Sequence, residues 1–182
     1  MQSYLITDPG YYSQDTETFS NRLRQVLLRH RPSFALYRDK SNRDYGVLAE
    51  QFVKLGGDIT KMMLHGDPVL ASELNAYGVH LSSQQFDEIK TAKSLDLFTV
   101  ISCHSERELL QAEELGADAA TYSPVFSTPN KGEPKGLAEL QRMVDKISLP
   151  IIALGGITAE EIRAVESTGC HAFASIRYFI EN

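Results

Sequence analysis

The chain has 182 residues, 42% apolar and 23% charged, with a formal net charge of −6, a balance that suits one ordinary globular unit. Its basic residues are scattered rather than blocked, which argues against nucleic-acid and membrane-surface binding but leaves room for a local anion site. No apolar stretch approaches the roughly 20 residues that cross a bilayer. The opening Met1 to Asp8 lacks the basic and apolar regions of a signal peptide. Cys103 and Cys170 are too few for a disulfide framework and form no CxxC pair, so a cytoplasmic protein is the simplest expectation.

Short apolar runs alternate along the chain with segments of helical period. Strands are predicted from Tyr4 to Thr7, Phe34 to Arg38, Met62 to His65, and Gly78 to Leu81. Four more follow, from Phe98 to Cys103, Ala119 to Val125, Ile151 to Leu154, and Ala172 to Ile176. Helical spacing joins Phe19, Leu23, Val26 and Leu27, then Val47, Leu48, Phe52 and Leu55, then Leu109, Leu110, Ala112 and Leu115. Glu106, Glu108, Glu113 and Glu114 supply the solvated positions of the last group. Alternating periods of this kind predict βαβ units and a parallel sheet. Eight strands predict an α/β fold, a single-domain (β/α)8 TIM barrel over residues 1–182, although about 250 residues is more usual for it. No Gly-x-Gly-x-x-Gly follows the first strand, which weakens a dinucleotide-binding alternative. The chain reaches Asn182 soon after the eighth strand, so the last helix is predicted to be shortened or missing. That would leave apolar surface near Tyr178, Phe179 and Ile180, covered by a homodimer or by the chain folding back on itself.

Reactive groups of such a barrel sit at the carboxyl ends of its strands. Those ends carry Thr7 and Asp8, Arg38 and Lys40, His65, Ser82, Ser102 with His104, Ser123 through Lys131, Gly155 and Gly156, and Ser175 with Arg177. The set is cationic, hydroxylic and glycine-rich, which suits phosphate recognition better than carboxylate-driven hydrolysis. Arg38 and Lys40 are two apart, so an extended chain points them to one side; solvated strand-end charges would read the same way. After Pro150 and its apolar run, Gly155 and Gly156 let the backbone approach a ligand closely, and Thr158, Glu160 and Glu161 are predicted to open a helix able to hold an anion. An ordinary strand-to-helix turn is the alternative. The segment from Ser123 to Gly136 is too long for a minimal turn, and long loops in compact domains are usually functional or disordered.

The motifs, taken in order, resemble the thiamine phosphate synthase superfamily, which also contains the TenI-like thiazole tautomerases. The resemblance is carried by Tyr4-Leu5-Ile6-Thr7-Asp8, Arg38-x-Lys40, Gly78-Val79-His80-Leu81, Ser102-Cys103-His104-Ser105 and Gly116-Ala117-Asp118. It continues through the loop Ser123-Pro124-Val125-Phe126-Ser127-Thr128-Pro129-Asn130-Lys131 and through Ile152-Ala153-Leu154-Gly155-Gly156-Ile157-Thr158. It implies a (β/α)8 barrel that joins an aminopyrimidine pyrophosphate to a thiazole phosphate, expelling pyrophosphate held by magnesium. By the same resemblance Arg38, Lys40 and Lys131 contact pyrophosphate, Thr128 belongs to the same loop, and Ser102 lies beside the leaving group. Gly156, with Gly155, falls where the family binds thiazole phosphate. A carbocation-like pyrimidine forms as pyrophosphate departs, and preorganised positive charge would stabilise that transition state.

Departures from the pattern bear on the metal. An Asn-Asp pair after the third strand reads His65-Gly66, and an aspartate after Gly-Val-His-Leu reads Gln85. Both magnesium carboxylates are replaced, so magnesium dependence is predicted to be weak; Asp67 either substitutes as a ligand or caps a helix. A pocket glutamine reads Leu36, a second loop threonine reads Asn130, and Arg177 replaces a small residue at a phosphate-contacting position. The tautomerases' catalytic histidine reads Pro124. His65 and His104 could face one cavity as ligand contacts, whereas His80 belongs to a strand motif and is read as structural; a histidine metal cluster has no spacing to support it. The resemblance and its departures are compatible with a synthase with a remodelled metal site, a TenI-like tautomerase, and a non-catalytic phosphate-binding or regulatory paralogue. The expected ligand is a small phosphorylated thiazole or pyrimidine.

Overall fold

A computed structural model describes residues 1–57, 60–129 and 131–181. Its strands are β1 (Gln2–Ile6), β2 (Phe34–Tyr37), β3 (Lys61–His65), β4 (Gly78–Leu81), β5 (Phe98–Cys103), β6 (Ala119–Tyr122), β7 (Ile151–Leu154) and β8 (Ala172–Ser175). The helices between and after them are α1 (Thr16–His30), α2 (Tyr45–Gly56), α3 (Pro68–Glu73), α4 (Glu88–Ser94), α5 (Glu106–Glu114), α6 (Gly136–Lys146), α7 (Ile162–Ser167) and α8 (Tyr178–Glu181). All strands run parallel in sequence order, and β8 pairs with β1 to close the barrel. The chain is therefore a single (β/α)8 barrel, with strand ends within a few residues of those read from periodicity.

Two cores follow from the alternation of side chains along each strand. Tyr4, Ile6, Phe34, Leu36, Met63, Val100, Ile152, Ala172 and Ala174 fill the interior. Their neighbours Leu5, Ala35, Leu64, Ile101, Ala153 and Phe173 face outward and join the helices in a second cluster. Phe34 and Phe98 stack with centroids 5.6 Å apart near the amino end, and Tyr77 packs on Phe98 at 5.3 Å. These rings help to fill the interior at that end, as small barrels require.

Helix α1 shows how sequence sets an element. Asp15 accepts a hydrogen bond from the Thr18 backbone N–H as its N-cap, and Phe19, Leu23, Val26 and Leu27 form the buried stripe. Two apolar residues at helical spacing do not join the core: Val47 is 56% and Leu110 42% exposed. Both lie at the edge of a stripe that Leu48 and Phe52, or Leu109 and Ala112, already fill.

The eighth helix is present as a single four-residue turn. Phe179 is only 2% exposed and stacks on Phe173 with centroids 6.1 Å apart, with the His30 ring edge-on at 5.6 Å. Tyr178 and Ile180 are partly buried against the same cluster. The apolar patch from which self-association was predicted is closed within one chain, so it supplies no argument for a dimer.

Candidate functional site

At the carboxyl ends of the strands the barrel opens into a cavity of about 280 Å³. Arg38, Lys40, His65, His80, Ser102, His104, Thr128, Lys131 and Gly155 line it, over an apolar floor of Ile6, Leu36, Leu154 and Ile176. A larger cavity of about 500 Å³ lies at the opposite, amino end, lined by Gln2, Ser33, Thr60, Lys61 and Tyr77 among others. Its Lys61 ammonium sits over the Phe34 and Tyr77 rings, 5.2 and 4.8 Å from their centroids, and this barrel face conventionally serves stability. Convergent polar chemistry favours the smaller, upper cavity.

Arg38 and Lys40 do point to one side. The Arg38 backbone N–H donates to Thr7 Oγ at 3.0 Å, which anchors the end of β2 to the end of β1. Asp39 between them turns away and is held by Ser41 and by Gln14 Nε2 at 2.8 Å, bonds that keep its carboxyl below the usual range against a burial that would raise it. The alternation gives the cavity two cations and withholds the adjacent carboxylate.

The long loop after β6 is ordered by its own closure. Lys135 and Gly136 N–H groups donate to the Pro124 and Val125 carbonyls, both at 2.9 Å, while Phe126 N–H donates to the Gly155 carbonyl at 3.0 Å. Thr128 Oγ donates to the Phe126 carbonyl, and Lys131 N–H returns to the Thr128 carbonyl. Thr128 and Lys131 are thereby presented at the cavity. Asn130, also predicted at the site, lies outside the described residues.

The glycine pair makes room for the neighbouring protein loop. A Cβ on Gly155 would lie 2.8 Å from Pro124 Cα, and one on Gly156 would lie 2.6 Å from the Ser127 carbonyl oxygen. Both residues have positive φ, +105° and +67°. What approaches these glycines so closely is the neighbouring loop. Gly155 still lines the cavity, whereas Gly156 and the exposed Arg177 do not. The helix expected to open at Thr158 begins only at Ile162, and Glu161 accepts hydrogen bonds from both the Thr158 N–H and its hydroxyl. An internal carboxylate therefore engages the Thr158 N–H, one of the donors near the predicted anion cradle, and Arg177 lies close enough to lower the Glu161 pKa further.

The residues at the predicted metal positions are engaged elsewhere. Asp67 accepts from the Leu70 N–H at 2.9 Å as the N-cap of α3. Gln85 Nε2 donates to the Gly66 carbonyl at 2.7 Å, and its Oε1 accepts from the Ser82 N–H and hydroxyl, which ties the β3 and β4 loops together. Among the described residues no Asp or Glu lines the cavity, and no group of three or more His, Cys, Asp and Glu is able to hold a metal ion. This donor set does not fit a magnesium ion held by protein carboxylates.

Ser82 and Ser123, read as strand-end groups, do join the cavity wall; sequence reasoning missed Ser83 and undervalued His80. His80 is buried on β4, with Nδ1 3.1 Å from Tyr4 Oη and Nε2 3.1 Å from Ser102 Oγ. His104 Nδ1 lies 3.0 Å from the Ser123 carbonyl oxygen, joining β5 to the loop after β6. The inward parity of Gly78 and His80, like that of Val100 and Ser102, was the signal available.

Burial holds both inner histidines below the usual imidazole range, His65 at about 4 and His80 at about 3. Arg38 and Lys40 add repulsion at His65, as His65 and Arg38 do at His80. Both are neutral at pH 7. Because the folded values lie below the unfolded 6.5, the unfolded chain binds protons first as pH falls. Stability is fully present above about pH 6.5 and is lost progressively toward pH 4 and 3. Urea unfolding at pH 7, 6 and 5 should show losses of about 1 kcal/mol per pH unit for each histidine. His65→Asn should flatten that slope; an unchanged slope would contradict it.

Comparison with known proteins agrees with this barrel. The family model described as thiamine monophosphate synthase matches residues 3–179. A protein of Aquifex aeolicus named putative thiamine-phosphate synthase 2 is 32% identical over 183 residues, covering 98% of this chain and 97% of that one. A thiamine-phosphate synthase of Latilactobacillus sakei is 35% identical and covers 97% of this chain and 83% of its own. Among solved structures, a thiamine phosphate pyrophosphorylase from Pyrococcus furiosus superimposes with a TM-score of 0.82 at 26% identity, covering 96% of this chain and 85% of that one. The chain belongs to the thiamine monophosphate synthase family. No helix among the described residues is long and apolar enough to cross a membrane.

Proposed function

We propose that the upper cavity binds an aminopyrimidine pyrophosphate and a thiazole phosphate and joins them to thiamine phosphate, releasing pyrophosphate. The observation that carries this reading is the convergence of Arg38, Lys40 and Lys131 with the hydroxyls of Ser102 and Thr128 on one cavity whose described lining holds no carboxylate. Arg38 and Lys131 hold the pyrophosphate and take up the negative charge that grows on it as the bond to the pyrimidine breaks. The apolar floor of Leu36, Leu154 and Ile176 receives the rings. Pro124 stands where the resemblance places the tautomerases' histidine, which leaves the tautomerase reading without its base. Incubation with both precursors, with thiamine phosphate followed by chromatography, tests the reading. Tight pyrophosphate binding without any product would favour a non-catalytic binding protein.

Three cations without an opposing carboxylate neutralise much of the pyrophosphate charge directly. Calorimetric titration of pyrophosphate should therefore give affinities within about threefold with magnesium and with a chelator, since little is left for the metal to hold. Gly66→Asp combined with Gln85→Asp should add a magnesium dependence. A steep rise with magnesium in the unaltered protein would mean that another carboxylate, such as Asp67, is recruited.

A further inference from the structure

The chain of hydrogen bonds from Tyr4 through His80 to Ser102 crosses the barrel interior and ends at the cavity wall. It joins β1, β4 and β5, and its first two members are buried, Tyr4 at 0% and His80 at 3% exposure. Burial raises the Tyr4 phenol well above its usual pKa, so its proton stays in place and needs an acceptor. Among the described residues that acceptor is His80 Nδ1 at 3.1 Å. A neutral imidazole accepts at one nitrogen and donates at the other. The bond from Tyr4 therefore assigns the proton of His80 to Nε2, which donates to Ser102 Oγ at 3.1 Å. With its oxygen already accepting, Ser102 has its own hydroxyl hydrogen free for the cavity that it lines.

We infer that Tyr4 and His80 are positioning residues that fix Ser102 as a hydrogen-bond donor to an anionic oxygen in the cavity. The inference rests on the proposed pyrophosphate site and deepens it. The ionised oxygens of the leaving group accept and do not donate, so a serine committed to donation matches them, and the reverse polarity would not. Arg38 and Lys131 provide charge, while Ser102 provides a directed dipole that the barrel holds in place.

The polarity can be read in the unaltered protein. Long-range proton–nitrogen NMR spectra of the 15N-labelled chain should show His80 protonated at Nε2 and bare at Nδ1 between pH 6 and 8, with and without pyrophosphate. A proton at Nδ1 would make Ser102 the donor to His80 and overturn the inference. Pyrophosphate titration should show about 10-fold weaker binding in Ser102→Ala. The same loss is expected in His80→Leu, with most of the affinity restored in His80→Gln, which keeps a donor toward Ser102. If Arg38→Ala and Lys131→Ala weaken binding while Ser102→Ala does not, the site stands and this inference fails. If none of the three weakens binding, both fail.

Discussion

Arg38→Ala should lower kcat/KM for thiamine phosphate formation by about 100-fold or more. Preorganised groups aimed at charge that develops in the transition state commonly contribute about 100- to 1,000-fold each. Arg38 meets the conditions for an effect of that size. It is half-buried, lines the cavity, and is set at the end of β2 by the bond from its N–H to Thr7. Lys40 is exposed, so Lys40→Ala should cost several-fold less, as expected for a flexible charge on the rim. Arg38→Lys keeps the charge but loses the planar fork and should recover only part of the activity. Steady-state rates of the three variants, measured beside their urea midpoints, separate lost chemistry from lost folding. Equal rates for Arg38→Ala and the unaltered protein would remove Arg38 from the site.

Gly156→Val should destabilise the fold by about 4 kcal/mol and abolish the site together with it. Positive φ at +67° is strained for a β-branched residue, and the new Cβ would lie 2.6 Å from the Ser127 carbonyl oxygen and 2.8 Å from Phe126 Cβ. The loop that must retreat is the one presenting Thr128 and Lys131. Thermal unfolding and limited proteolysis after Phe126 would report the two effects. A folded Gly156→Val protein of normal stability that had lost only thiazole phosphate affinity would make Gly156 a ligand contact rather than a packing position.

The fold was legible because its signals are local and repeated. Each strand is short, apolar and flanked by turn residues, and burial on both faces is what a parallel barrel demands of β2, β4, β6 and β8. Val47 and Leu110 were misplaced because spacing gives the direction of a helix face but not how far its neighbours already cover it. The cations Arg38, Lys40 and Lys131 could be found from strand ends and family resemblance. Gly155 and Gly156 could be recognised as special, but not why, since the loop pressing on them begins some thirty residues earlier in the chain. The link from Tyr4 to His80 spans 76 residues and that from His80 to Ser102 spans 22, so no local motif records it. Asp67 was correctly left between cap and ligand, and the bond to the Leu70 N–H engages it as a cap.

The most direct measurement is a crystal structure of the protein grown with pyrophosphate. The anion should lie above the apolar floor at the carboxyl ends of the strands, within hydrogen-bond distance of Arg38, Lys131 and Ser102 Oγ. Pyrophosphate found instead at the amino end beside Lys61, or absent from the upper cavity at saturating concentration, would contradict the proposed site.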